Sequence, residues 1–71
     1  MEVASPEYEL VLHRRTMYGV FQVVYDTMTR NYLYIHRKNG VRLGIEYAGR
    51  DQADAIAGFD EYIEERSQGA Y

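Results

Sequence analysis

Cysteine and tryptophan are missing from the 71 residues, and proline occurs once, at Pro6. Without cysteine there is neither a disulfide nor a thiolate metal site, so a chain this short relies on its core alone. Folding at this length removes only about 60% of the unfolded chain's surface from water, which leaves marginal stability and room for one domain. No apolar run approaches the roughly 20 residues of a membrane span, and no basic-then-apolar signal segment opens the chain. The expectation is a soluble, cytoplasmic protein with no membrane partner. Histidine is limited to His13 and His36 on separate segments, and the two serines, Ser5 and Ser67, lie near the ends. These supply no nucleophile, base and orienting acid together and no metal-ligand spacing, so no enzyme activity, cofactor or metal is expected.

What the chain does have is tyrosine. Hydrophobic residues make up 46% and aromatics 14%, too much for disorder, and eight of the ten aromatics are tyrosine. That side chain tolerates a half-wet surface in a way phenylalanine does not. The net charge of −3 is unevenly spread. Residues 1–9 sum to −3, residues 10–50 to +5 through six arginines and Lys38, and residues 51–71 to −5. A basic middle followed by an acidic end bears on encounter with partners, or balances charge between neighbouring elements.

Along the chain, residues 1–7 show no period and read as a flexible arm. From Tyr8 the period is two, with Tyr8, Leu10 and Leu12 alternating with Glu9, Val11 and His13. Met17–Asp26 reads as a second strand, Arg30–Arg37 as a third and Val41–Tyr47 as a fourth, with turn chemistry at Asp26-Thr27-Met28-Thr29. Asn39-Gly40 allows two hairpins. A two-residue type I′ loop pairs His36 with Leu43 and Tyr34 with Ile45, mixing apolar and polar residues on both faces. A three-residue loop, Lys38-Asn39-Gly40, pairs Ile35 with Leu43 and Leu33 with Ile45, and sets Tyr34 opposite Gly44. The second gives one continuous apolar face of Leu33, Ile35, Val41, Leu43, Ile45 and Tyr47, and is adopted here. After Ala48-Gly49-Arg50, Asp51 caps a helix whose stripe is Gln52, Ile56, Phe59, Ile63 and Arg66, flanked by Ala55 and Tyr62.

The fold class that follows is α+β. A four-stranded antiparallel meander (β-β-β-β-α) carries one C-terminal amphipathic helix on one face, with the domain spanning residues 8–67 and a tail at 68–71. If Ile56, Phe59 and Ile63 cover the Leu33/Ile35 face, the opposite face keeps Val20, Gln22, Tyr32, Tyr34, His36, Arg42 and Glu46, the composition of an interface centre. These are the expected partner-binding residues. The alternative is that tyrosine and valine simply form good strands on a solvated sheet. Arg37, Lys38 and Arg42 at the hairpin tip are candidate nucleic-acid contacts beside stacking aromatics. Asp54, Asp60, Glu61, Glu64 and Glu65 form an acidic helix surface that could imitate phosphates or be a solvated face.

Four resemblances bear on function. Gly19-Val20-Phe21 followed by Tyr34-Ile35-His36 resembles the paired tripeptides of GIY-YIG nucleases. Phe21 stands where that family has its catalytic tyrosine, however, and His36 stands where it has glycine. The three-stranded sheet and helix over residues 18–66 are similar to arm-type DNA-binding domains of phage integrases. The ending Gly44-Ile45-Glu46-Tyr47 into Asp51–Glu65 is similar to HicB-type antitoxins. The whole arrangement, a very short acidic chain with a tyrosine-bearing meander and one helix, resembles small phage-encoded anti-CRISPR and anti-defence proteins. That last resemblance implies a steric inhibitor of a host protein or ribonucleoprotein effector complex, acting through the open sheet face. A nucleic-acid-binding sheet domain and a homodimer burying two open faces are the other expectations, the former weakened by the net negative charge.

Overall fold

A computed structural model describes residues 8–68, so the expected arm at 1–7 and all but Gln68 of the expected tail lie outside the described residues. The elements are β1 (Tyr8–Thr16), β2 (Gly19–Asp26), β3 (Asn31–Lys38), β4 (Val41–Gly49), α1 (Gln52–Ala57) and α2 (Phe59–Gln68). The strands form one antiparallel sheet in the order β1-β2-β3-β4. This is the expected α+β meander, with the helix bent at Gly58 into two segments rather than running straight. Asp51 caps α1 as expected, its side chain accepting from the Asp54 N–H at 3.2 Å. Ser67 and Gln68 continue α2.

The β3–β4 register matches neither hairpin considered from sequence. Asn39 and Gly40 both have positive φ, 55° and 80°, the type I′ geometry, and Lys38 pairs with Val41. Leu43 is then an extra residue, so that Arg37 pairs with Arg42 but His36 with Gly44, Ile35 with Ile45, Tyr34 with Glu46 and Leu33 with Tyr47. The bulge restores Leu33, Ile35, Ile45 and Tyr47 to a common face, which the two-residue loop alone would have scrambled. A bulge at Val11 has the opposite effect in β1, separating Leu10, which pairs with Val24, from Leu12, which pairs with Val23, onto the two faces.

The two faces of the sheet are exchanged relative to expectation. The helices pack on Phe21, Val23 and Tyr34, with Ala55, Phe59 and Tyr62 as their buried contacts. Ile56 is exposed, and Ile63 packs only partly against the cluster. Strand pairing and two close approaches build this face. The loop 27–30 has four residues, closed by Arg30 N–H donating to the Asp26 carbonyl at 2.7 Å with Arg30 at φ 62°, so that Phe21 pairs with His36 and Val23 with Tyr34. Two glycines then make room for close approach. A Cβ at Gly58 would sit 2.6 Å from the Tyr34 hydroxyl, and one at Gly44 would sit 2.7 Å from the Arg66 guanidinium.

The core is a chain of rings. Phe21 stacks on His36 at 4.2 Å, Tyr34 on Tyr62 at 4.8 Å, and Tyr34 on Phe59 at 5.9 Å. Truncating a ring so enclosed costs about 3–5 kcal/mol. Polar atoms within it are answered locally. The Tyr34 hydroxyl donates to the Ala55 carbonyl at 2.7 Å. His36 Nε2 lies 2.8 Å from the Tyr18 carbonyl, which makes Nε2 the protonated nitrogen and leaves Nδ1 to accept from Arg66 Nε at 3.4 Å.

Candidate functional site

The expected contact set divides between the two faces. Tyr34 and His36, expected on the uncovered face, are 7% and 3% exposed beneath the helices. This corrects the expectation: the helices cover the face that Tyr34 and His36 share with Val23 and Phe21, where Gly58 and Gly44 admit close approach. Tyr32 lies on the same helix-bearing side, its ring 4.8 Å from Tyr25 and its hydroxyl donating to Gln52 Oε1 at 3.3 Å. Glu46, opposite Tyr34, also belongs to that side. Val20, Gln22 and Arg42 do lie on the face away from the helices, because they pair with Arg37, Ile35 and Arg37 respectively.

The pairings lay out the helix-free face as rows crossing the sheet. One row is Leu10, Val24, Leu33 and Tyr47, and the next is His13, Gln22, Ile35 and Ile45. Val24 and Ile35 at the centre are buried, whereas Leu10, Ile45 and Tyr47 are 59%, 45% and 57% exposed. No helix or further strand among the described residues lies over them. Antiparallel sheets ordinarily turn a polar face to water, so half-exposed leucine, isoleucine and tyrosine in register are unusual. Tyr47, expected in the core, and Tyr34, expected outside, have changed places.

A third row closes this face with Arg15, Val20, Arg37 and Arg42. Strand spacing puts Arg15 about 10 Å from Arg37, and Arg42 one strand further. Arg37 and Arg42 stand directly opposite one another, an arrangement that repels. None of the three has an ion pair among the described residues, where the ion pair formed is Arg14 with Asp60 on the helix-bearing side. Lys38 points to the other side at the hairpin tip, beside Val41. The basic middle of the chain therefore resolves into an arginine row on one face, while Glu46 and the helix acids Asp54, Asp60, Glu61, Glu64 and Glu65 belong to the other.

Sequence reasoning missed Leu10, Arg15, Ile45 and Tyr47 as surface residues. The mid-strand Gly44 and the mid-helix Gly58 were the signals, since each leaves space for a close neighbour on the helix-bearing side. Among the described residues no three histidine or carboxylate groups converge to hold a metal ion, and no helix is long and apolar enough to cross a membrane. No family model matches the chain, and no curated protein or solved structure matches it significantly.

Proposed function

We propose that the chain is a non-enzymatic binding module that engages a protein partner through the helix-free face of its sheet. The observation that carries this reading is the in-register patch of Leu10, Ile45 and Tyr47 around buried Val24 and Ile35, bordered by Arg15, Arg37 and Arg42. An apolar centre with a charged margin is how protein interfaces are built, and aromatic and arginine residues carry a large share of their energy. The complementary partner presents an apolar patch with acidic groups along one border. Steric inhibition of a larger host assembly, the role implied by the resemblance to small phage-encoded anti-defence proteins, would need such a face and no chemistry.

Affinity capture from the source cells tests this with three baits: the unaltered chain, Ile45→Asp and, on the far side, Glu64→Gln. A partner retained by the first and third and lost by the second supports the reading. Equal capture by all three refutes it. The arginine row favours a second reading, a single-stranded nucleic acid laid with its phosphates on Arg15, Arg37 and Arg42 and a base on Tyr47. That reading requires affinity for a labelled oligonucleotide to fall steeply with salt, and a flat titration removes it.

A further inference from the structure

The helix-free face ends on two unlike margins. Beyond the row of Leu10, Val24, Leu33 and Tyr47, and away from the arginines, the pairings place a last row of Tyr8, Asp26 and Asn31. Of the strand carboxylates, Asp26 is the one that alternation puts on this face, since Glu9 pairs with Tyr25 and Glu46 with Tyr34 on the helix-bearing side. Its Oδ1 accepts from the Met28 and Thr29 N–H groups at 2.9 and 3.4 Å, and it forms no ion pair among the described residues. Arg30, at the end of the same loop, is exposed and does not pair with it. Residues two apart on a strand are separated by about 6.8 Å, so the four rows put Asp26 roughly 20 Å from Arg37, at opposite ends of the apolar centre.

A face with an acidic margin, an apolar centre and a basic margin is complementary to itself. A two-fold axis lying across the strands stacks each strand on its own copy with the rows reversed. Tyr8 and Asp26 of one copy then meet Arg15 and Arg37 of the other, and the row of Leu10, Leu33 and Tyr47 meets the row of His13, Ile35 and Ile45. Asp26 falls over Val20 of the other copy, which Arg15 and Arg37 flank. Each charge pair occurs twice, as a two-fold requires. An axis along the strands would instead lay arginine row on arginine row, which repels. Sheets pack face to face about 10 Å apart with their strands aligned, a gap that arginine and tyrosine side chains span. The face measures about 20 Å each way and buries on the order of 600 Å² of accessible surface per copy, near the lower limit of stable interfaces.

We propose that the occupant of the helix-free face is a second copy of this chain, held as a two-fold dimer of sheets with the helices outside. The identity of this partner rests on the reading that the face binds protein. The complement required there, an apolar patch with an acidic border, is what the far end of the same face offers. Two sheets with helices on their outer sides make a four-layer particle whose centre buries Leu10, Ile45 and Tyr47, which one copy leaves half in water. Dissociation in the micromolar range fits an interface of this size.

The test is sedimentation velocity of the full chain from low micromolar to millimolar concentration, with Ile45→Asp, Asp26→Asn and Glu64→Gln in parallel. The expected result is a concentration-dependent dimer, abolished by Ile45→Asp and unchanged by Glu64→Gln on the helix side. Asp26→Asn, which keeps the turn's acceptor and loses the charge twice per dimer, should weaken it about fivefold or more. In a mixture of ¹³C-labelled and unlabelled chains, a filtered nuclear Overhauser spectrum should connect the Tyr8 ring with the Arg15 side chain, which lie roughly 20 Å apart within one copy. A monomer at every concentration overturns the proposal, and if an unlike partner is still captured through Ile45 the broader reading stands. A dimer that survives Ile45→Asp, or one indifferent to Asp26→Asn and without the Tyr8–Arg15 contact, overturns it as well.

Discussion

Replacing Gly58 with alanine sets two calculable effects against each other. Gly58 has φ −88° and ψ −2°, a right-handed conformation that alanine adopts without strain. On backbone grounds alone the substitution should stabilise by about 0.4–1 kcal/mol through the unfolded state. The new Cβ, however, would lie 2.6 Å from the Tyr34 hydroxyl. That hydroxyl cannot step aside freely, since it donates to the Ala55 carbonyl at 2.7 Å and its ring is held between Tyr62 and Phe59. Losing the hydrogen bond costs about 1–1.5 kcal/mol, and forcing a methyl into a filled core about 1–3 kcal/mol.

The net expectation for Gly58→Ala is a loss of roughly 1–4 kcal/mol, and each kcal/mol lowers the melting temperature of a domain this size by about 4–8 °C. Tyr34→Phe removes the clashing atom at a cost of about 1 kcal/mol for the bond. In that background Gly58→Ala should be neutral or stabilising. The four proteins form a double-mutant cycle readable by urea or thermal unfolding followed by circular dichroism, with an expected coupling of at least about 1.5 kcal/mol. If Gly58→Ala raises the melting temperature of the unaltered chain, or shifts both backgrounds equally, then Tyr34 does not lie against the bend and the placement of the helix is wrong.

Three further outcomes are expected. The phenols of Tyr34 and Tyr62 are pushed above their ordinary value of about 10, chiefly by burial. Raised folded pKa values mean that stability is intact below pH 10 and declines as pH rises past it, and Tyr62→Phe should flatten that decline in a series of urea midpoints. Arg14→Ala should destabilise more than Asp60→Ala, because Arg14 lies 5.5 Å over the Phe59 ring as well as pairing with an exposed Asp60 whose bond alone is worth under about 1 kcal/mol. Arg42→Gln should raise the denaturation midpoint slightly, by a few tenths of a kcal/mol, as it relieves the Arg37–Arg42 opposition; a loss of stability would show that the guanidinium has a stabilising contact.

Period-two patterning and turn residues were enough to place the four strands, the meander and a helix capped at Asp51. They were not enough to orient the sheet. In β2 and β3 both alternating sets are apolar or aromatic: Phe21, Val23, Tyr34 and His36 on one side, Val24, Leu33 and Ile35 on the other. Hydrophobicity therefore does not choose the face; the 27–30 loop fixes only which β2 residues share a face with which β3 residues, and Gly44 and Gly58 leave the room that the helices use on the Tyr34 side. The extra residues Val11, Leu43 and Ala48 each reverse the alternation of part of a strand, and nothing local in their sequence marks them as bulges. Of the expected contact residues, Val20, Gln22 and Arg42 lie on the uncovered face, whereas Tyr32, Tyr34, His36 and Glu46 lie on the side that the helices cover.

The order β1-β2-β3-β4, with connections of two, four and two residues, also governs how the molecule assembles. Every strand finds its partner among residues that immediately precede or follow it, so no hydrogen-bonded ladder waits on the closure of a long loop. The sheet can zip hairpin by hairpin, faster than sheets of similar size whose strands pair across distant sequence. α1 contacts β3 and β4, α2 reaches Phe21 of β2 and Arg14 of β1 as well, and the helices can dock only once the ring face of Phe21, Tyr34 and His36 has been assembled. Until they do, both faces of the growing sheet are apolar and wet, and its folding is a brief interval of exposure on two sides that ends, on one side only, when Phe59 and Tyr62 close over it.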